Sequence, residues 1–104
     1  MSISVTEQDD NIVITMPGRF DNHSHGAFRT VHASLRGRQQ AVIVDFEQTE
    51  YMDSSALGML LCLRQDVGGD TADVTLRNCG VAVAKILGIA NFQKLFKIEP
   101  LESC

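Results

Sequence analysis

The sequence predicts an α/β domain in which a mixed β-sheet of four to five strands is flanked by about four helices and opened by an N-terminal hairpin. Two short β-branched segments near the N-terminus are separated by polar residues. A nearly continuous apolar run, AVIVDF at residues 41–46, is typical of a strand covered on both faces. Later helix-like and strand-like segments alternate, which indicates crossover connections within a mixed sheet.

The N-terminal third of the chain predicts the hairpin and a first helix. ISVTE at residues 3–7 and IVITM at residues 12–16 are short and β-branched, and QDDN between them favours a turn. Pro17 and Gly18 end the second strand. The segment DNHSHGAFRTVHASLRGR opens with residues that cap helices. Its apolar residues then recur at helical intervals, at Ala27, Phe28, Val31 and Leu35. We expect Gly37 to end this helix.

The rest of the chain predicts two more helices, two more strands and a final helical turn. SSALGMLLCLRQDVGG should form a helix that ends at Gly68–Gly69. Its predicted apolar face comprises Ala56, Leu57, Leu60, Leu61 and Leu63. DVTLRN at 73–78 predicts a strand and VAVAKILGIA at 81–90 a helix. A short helical turn at NFQKLF and an extended KIEP close a single domain over residues 1–104.

Composition and charge exclude several classes of protein. The chain has 104 residues, of which 44% are hydrophobic and 21% charged, as in a globular domain. A net charge of −4 argues against binding to nucleic acid or anionic membranes, because no basic stripe displaces counterions from phosphates. No apolar run approaches the roughly 20 residues that span a bilayer. The N-terminal MSISVTEQDD lacks the features of a secretory signal. We therefore expect a cytoplasmic protein without direct membrane insertion.

The cysteines favour free thiols in a reducing compartment. Cys62, Cys79 and Cys104 are widely spaced and form no CxxC pair. We expect Cys62, which lies among leucines, to be a small core residue, and Cys104, the last residue, to be exposed. The spacing of metal ligands is missing, so we expect no metal and no cofactor.

The stretch MDSSALG, from Met52 to Gly58, carries the main functional signal. Asp53 or Ser54 could simply cap the following helix, because Asp and Ser accept hydrogen bonds from free backbone N–H groups at a helix start. One cap needs one residue, however, and three cap-forming residues stand in a row. Gly58 costs about 1 kcal/mol relative to alanine inside a helix, and such a glycine often admits a ligand or another backbone. A phosphate at this helix start would be accommodated by free N–H groups and the helix dipole.

Catalysis and metal binding are the other hypotheses for these polar residues. A nucleophilic Ser54 would need a positioned base and acid, and MDSSALG is not the G-x-S-x-G elbow. His23, His25 and His32 all lie in or before the first helix, and nothing in the sequence requires them to approach Ser54. Asp21, His23 and His25 lack a second cluster of metal ligands. We therefore expect no enzyme. Met52 and Met59 are expected to fill gaps in the core.

The residues quoted above resemble STAS domains, and specifically the bacterial anti-sigma-factor antagonists. VIVDFEQTEYMDSSALGMLL is similar to the central stretch of that family, in which a buried strand leads into D-S-[ST]-[GA]-[LI]-G. MPGRFDNHSHGAFR and VTLRNCGVAVAKILGIANFQKLFKI are similar to the segments on either side. The resemblance therefore spans essentially the whole chain and implies a mixed sheet flanked by helices.

The resemblance also implies roles for individual residues. Ser54 matches the serine that is phosphorylated, and Ser55 matches a neighbouring hydroxyl that is sometimes a secondary site. Asp21 and Asp53 match positions beside the phosphoserine. The partner-binding surroundings are completed by Ala56, Leu57 and Gly58. Two residues depart from the family pattern: Arg19 stands at a position that is often acidic, and Ala56 where glycine is commoner.

A regulatory cycle follows from the same resemblance. The unphosphorylated protein would bind an anti-sigma factor that is also a serine kinase, phosphorylation of Ser54 would release it, and a serine phosphatase would restore binding. Two other hypotheses stay open. The chain could be a non-switching STAS subunit of a larger assembly, such as a lipid transporter, or a small enzyme that uses Ser54.

Overall fold

The predicted hairpin opens the fold. The computed structural model describes residues 3–38 and 40–101. Strand β1 (Ser4–Gln8) pairs antiparallel with β2 (Asn11–Thr15). Asp9 and Asp10 between them have φ angles of 52° and 67°, the left-handed conformation that tight hairpin turns require. Every residue of β1 is exposed, so this strand forms the outer edge of the sheet.

Within residues 3–38 and 40–101 the main sheet has five strands in the order β1-β2-β4-β6-β7, which confirms the expected mixed sheet. Strands β4 (Val42–Asp45), β6 (Val74–Cys79) and β7 (Lys97–Pro100) continue the sheet in parallel from β2. In β4, buried residues alternate with half-buried ones. The expectation that this strand is covered on both faces is therefore wrong for one face, since the main core packs against the other.

A second, two-stranded sheet was not predicted. Strand β3 (Arg19–Phe20) pairs in parallel with β5 (Tyr51–Met52). Each strand contains two residues, which is too short for any alternation of polar and apolar residues to be recognised in the sequence. The small sheet joins the segment before the first helix to the loop before the second.

Within the described residues there are three α-helices, one fewer than the approximate expectation. They are α1 (His25–Ser34), α2 (Ser54–Asp66) and α3 (Val81–Ile89). The fourth helical segment, at NFQKLF, is only a 3₁₀ turn at Phe92–Lys94, because the left-handed Asn91 (φ 60°) breaks it from α3. A further 3₁₀ turn, Asn22–Ser24, leads into α1. No helix in residues 3–38 and 40–101 is long and apolar enough to cross a membrane.

An aromatic cluster lies at the centre of the core. Phe20, Phe28 and Phe46 are fully buried, and the ring of Phe20 lies 5.2 Å from that of Phe28 and 6.1 Å from that of Phe46. These contacts join the small sheet to α1 and to the end of β4. Met52 and Met59 are also buried, which confirms that they pack in the core.

Two residues of α2 that were expected to lie in the core are exposed. Leu61 is 41% exposed, whereas Leu60 beside it is fully buried. Cys62 is also exposed, so the expectation of a core cysteine is wrong. Both residues lie just outside the stripe of α2 that meets the sheet, because a helix turns about 100° per residue. Cys104 lies outside the described residues.

Substituting Leu60 and Leu61 separately by alanine tests this packing on one helix with one chemical change. Leu60→Ala removes a buried side chain and should lower the free energy of unfolding by about 3 kcal/mol. Leu61→Ala should lower it by less than about 1 kcal/mol. Urea denaturation followed by circular dichroism measures both values. Equal losses would contradict the assignment of the buried face.

Candidate functional site at the start of α2

The pairing of β3 with β5 determines where the two candidate aspartates lie. Phe20 is paired with Met52, so Asp21 and Asp53 each follow the end of one of two adjacent parallel strands. The backbone N–H of Asp53 lies 3.4 Å from the carbonyl oxygen of Phe20. The structure therefore brings together the two aspartates that the sequence places 32 positions apart.

Asp53 caps α2. Its Oδ1 accepts hydrogen bonds from the backbone N–H groups of Ser55 (3.1 Å) and Ala56 (3.2 Å) and from the Ser55 hydroxyl (2.6 Å). The Ser55 hydroxyl is the main cause that lowers the pKa of Asp53 below its ordinary value of 3.8. Burial opposes this shift, and the backbone N–H groups of Ala56, Ser55 and Asn22 add to it. Asp53 is therefore a carboxylate at neutral pH.

Ser54 is free of the capping interaction. It is the first residue of α2 and is exposed. Its hydroxyl makes no hydrogen bond to any residue in the described part of the chain. Of the three consecutive cap-forming residues, Asp53 makes the cap and Ser55 supports it. The simple capping hypothesis therefore explains Asp53 and Ser55 but leaves the hydroxyl of Ser54 without a structural role.

Asp21 is held by its own loop. Its side chain is 9% exposed, and its Oδ1 accepts a hydrogen bond from the backbone N–H of His23 (3.0 Å), which caps the 3₁₀ turn. The Nε of Arg19 lies 3.4 Å from the other carboxylate oxygen. The guanidinium of Arg19 also lies 4.2 Å from the centre of the Tyr51 ring, a cation–π contact across the small sheet. Arg19 therefore places a positive charge beside Asp21.

The three predicted surface residues of α2 differ in exposure. Ala56 is fully buried and therefore cannot contact a partner directly. Leu57 is half-buried, and Gly58 is exposed. A Cβ atom added to Gly58 would meet no atom within 4 Å, so packing inside the domain does not require glycine there. This open backbone fits a surface that something outside the domain approaches.

A groove of about 490 Å³ lies between α1 and α2. His25 and Arg29 line it from α1, and Ser55, Gly58 and Cys62 line it from α2. Sequence reasoning missed this groove, although its residues recur at helical intervals on each helix, because nothing in the sequence shows that these two faces meet. The structure places His25 and Ser55 in the lining of one groove, whereas His23 lies beside Asp21.

His32 lies at the base of the same groove and connects the two helices. Its Nδ1 lies 2.6 Å from Oδ2 of Asp66, and the Nε of Arg36 lies 3.2 Å from the other oxygen of that carboxylate. Burial raises the pKa of Asp66, but the hydrogen bonds from His32 and Arg36 outweigh burial and lower it below 3.8. Nowhere in residues 3–38 and 40–101 do three His, Cys, Asp or Glu side chains form a group that could hold a metal ion.

The family model for the STAS domain matches residues 2–103. The chain belongs to the STAS domain family. A STAS-domain-containing protein of Pseudomonas aeruginosa strain UCBPP-PA14 is 45% identical over 88 residues, which cover 85% of this chain and 87% of the relative.

Solved structures show the same STAS fold at lower sequence identity. An anti-sigma-factor antagonist domain protein from Planctomyces limnophilus has a TM-score of 0.83 at 20% identity, covering 96% of this chain and 91% of its own. The Bacillus cell fate determinant SpoIIAA, solved in its phosphorylated form, has a TM-score of 0.71 at 19% identity, with coverages of 93% and 90%. A sulfate transporter family protein from Wolinella succinogenes has a TM-score of 0.76 at 9% identity, with coverages of 90% and 80%.

Replacing Asp53 separates its capping role from its charge. Asp53→Ala should lower the free energy of unfolding by about 1 kcal/mol, because two backbone N–H groups lose their acceptor. Asp53→Asn keeps a capping oxygen and should lower the free energy of unfolding by only a few tenths of a kcal/mol. Ser54→Ala is the control and should leave stability unchanged. Equal losses for the Ala and Asn variants, measured by urea denaturation, would show that the charge rather than the cap stabilises α2.

Acid should weaken the contact between α1 and α2. Because the pKa of Asp66 in the folded protein is below 3.8, its stabilising contribution is complete above that value and is lost as the pH falls through the lower folded-state pKa. Asp66→Asn should therefore make the free energy of unfolding depend less steeply on pH between about pH 5 and pH 2. Asp70→Asn, at a fully exposed carboxylate, is the matched control. An unchanged slope in Asp66→Asn, measured by urea denaturation across this range, would contradict the assignment.

Proposed function

We propose that this STAS domain is a phosphorylation-switched protein-interaction module and that Ser54 is its phosphate acceptor. The observation that carries the proposal is the exposed hydroxyl of Ser54, which has no hydrogen-bond partner among the described residues and takes no part in the helix cap that Asp53 makes and Ser55 supports. A phosphate on Ser54 would leave the hydrogen bonds of Asp53 intact. The modification therefore changes the surface without removing an interaction that stabilises the fold.

The negative charge around Ser54 means that phosphorylation should weaken partner binding rather than strengthen it. Phosphorylation adds about −1.5 to −2 charges at neutral pH. The new charge would lie one residue from the Asp53 carboxylate, with Asp21 on the adjacent loop. A partner that docks on the exposed start of α2, over Leu57 and Gly58, would meet this charge and lose affinity through repulsion and desolvation. A loss of about 3 kcal/mol corresponds to more than a hundredfold change in affinity.

The partners in this proposal are proteins of the bacterial cytoplasm. The unphosphorylated domain binds an anti-sigma factor that is also an ATP-dependent serine kinase, and phosphorylation of Ser54 by that kinase releases it. A serine phosphatase restores the binding form. Similarity to anti-sigma-factor antagonists, one of them solved in a phosphorylated form, supports this cycle. The domain itself acts by binding and has no catalytic role.

A second candidate is a constitutive subunit of a larger assembly, such as a lipid transporter. The similarity to a sulfate transporter family protein favours it. So does the surface of α3, where Val81 is 89% exposed and Ile89 is 74% exposed. These two apolar side chains could pack against a permanent partner, and the phosphorylation state of Ser54 would then have no effect on assembly.

Substitutions at Ser54 distinguish the switch from the constitutive subunit. Tagged wild-type protein, Ser54→Ala and Ser54→Asp are expressed in the native cells, and the co-purified serine kinase is quantified by mass spectrometry. Ser54→Ala should retain the kinase at the wild-type level or above. Ser54→Asp should retain at least about tenfold less, which corresponds to about 1.4 kcal/mol.

Ser4→Asp adds the same charge on the exposed edge strand β1 and serves as the matched control. It should bind as the wild type does. Peptide mapping of the wild type, purified with phosphatases inhibited, should locate a phosphate on Ser54. Equal recovery of a partner by all variants, together with no phosphate on Ser54 under several growth conditions, would overturn the switch in favour of the constitutive subunit.

A further inference from the structure

One arginine in this acidic protein pairs with no carboxylate of the described residues. Arg29 makes no hydrogen bond or ion pair with any residue in the described ranges. Every other arginine has a carboxylate oxygen within 3.5 Å: Arg19, Arg36, Arg38, Arg64 and Arg77. In a chain with a net charge of −4, an unpaired guanidinium is a notable exception. Its planar fork of donors is suited to carboxylate or phosphate oxygens.

Arg29 lines the groove between α1 and α2, and a second unpaired base lies beside it. His25, one turn earlier on α1, also lines the groove and is exposed, with no partner in the described part of the chain. Ser55 and the open backbone at Gly58 form the opposite side. The groove therefore has donors on one side and a hydroxyl on the other.

His32 also lines the same groove. The residue is only 8% exposed, and its Nδ1 is held by Asp66. Its other ring nitrogen, Nε2, has no partner among residues 3–38 and 40–101. The charge of Asp66 is already engaged by His32 and Arg36, so this carboxylate does not neutralise Arg29. The guanidinium of Arg29 is thus available to an anion.

We propose that the groove between α1 and α2 is a phosphoryl-binding pocket whose occupant is a phosphate carried by Ser55. Ser55 lies on the side of α2 that faces α1, and among the described residues that line the groove it alone carries a hydroxyl. The groove volume of about 490 Å³ is ample for a phosphate ester together with the Arg29 and His25 side chains around it. This proposal rests on the proposed function for the source of the phosphate.

The modification is an ordinary phosphoryl transfer to Ser55 from a nucleoside triphosphate that is bound to the partner kinase. The Oγ of Ser55 attacks the γ-phosphorus, a P–Oγ bond forms, and the bond from that phosphorus to the β-phosphate oxygen breaks to release the nucleoside diphosphate. The hydroxyl proton passes to a base of the kinase. Loss of this proton ends the 2.6 Å hydrogen bond to Asp53, and repulsion from that carboxylate turns the ester toward Arg29.

Phosphates on the two neighbouring serines would then differ in whether a positively charged side chain pairs with them. A phosphate on Ser54 lies on the exposed face of α2 beside Asp53 and has no groove cation to pair with. A phosphate on Ser55 is paired by Arg29 and His25 and ties α2 to α1. The first adds an unpaired charge to the docking surface, and the second fills the groove and is partly neutralised there.

Phosphoserine incorporated during translation at position 55 or 54 tests the pocket without any kinase or partner. The readout is the second pKa of each phosphate, measured by ³¹P NMR titration. The phosphate at 55 should have the lower second pKa, by about half a unit or more, because a nearby guanidinium favours the dianion. Arg29→Gln should raise that value and leave the phosphate at 54 unchanged.

Lys94→Gln removes an equal charge from the turn after α3 and is the matched control, since it should change neither phosphate. Circular dichroism of each variant establishes that the fold is intact. A second pKa at position 55 that does not respond to Arg29→Gln would overturn the proposal. A second result would also overturn it: phenyl phosphate binds the unmodified protein in a manner that depends on Arg29, while the second pKa at position 55 does not change in Arg29→Gln. The groove would then bind a free ligand. Neither result bears on whether Ser54 is a switch, which the partner-binding experiment decides.

Discussion

The two-residue parallel ladder between β3 and β5 is the constraint on which the candidate site depends. Extra hydrogen bonds extend it: the carbonyl oxygen of Gly18 accepts from the N–H groups of Glu50 (2.8 Å) and Tyr51 (3.2 Å), and the buried Thr49 hydroxyl donates to Pro17 (2.8 Å). These bonds satisfy backbone groups that would otherwise be unpaired. Because the ladder aligns two strand ends, the loops that follow it begin side by side.

The sequence predicted the regular elements well, because each has enough residues for a period to be recognised. The hairpin, the strand at Val42–Asp45 and the helix at Ser54–Asp66 follow directly from β-branched runs, an apolar run and helical spacing. The β3–β5 ladder could not be predicted, since its strands are only two residues long and their pairing depends on the tertiary fold. The same dependence explains Cys62: leucines surround it in sequence, but its own angle on the helix turns it to the surface.

The residue types of the candidate site could be predicted from the sequence, but the role of each residue could not. Asp53, Ser54 and Ser55 all favour helix starts, so their sequence could not show which one makes the cap. In the structure, a single carboxylate oxygen of Asp53 accepts from Ser55 twice and from Ala56 once. Likewise, the sequence shows bases on α1 but not that they face Ser55, because only the packing of α1 on α2 creates the groove.

The electrostatics of α2 divide its first turn into two sides. Toward β3 and β5 lie the carboxylates of Asp21 and Asp53, and Arg19 lies beside Asp21. Toward α1 lie His25 and Arg29, which pair with no carboxylate in the part of the chain that the structure describes. A phosphate on this turn therefore gains or loses Coulomb energy according to which side it faces, although the helix start favours it in either position.

This division lets the domain change its surface while keeping its fold. The cap that holds α2 uses an oxygen of Asp53 and the backbone of Ser55 and Ala56, none of which a phosphate on Ser54 replaces. The pKa of Asp53 is lower than its ordinary value of 3.8, so Asp53 carries a negative charge at neutral pH. A phosphate on Ser54 would add its own negative charge beside this carboxylate. Exposure at the helix start then directs the added charge toward solvent, where an approaching partner and not the hydrophobic core would meet it.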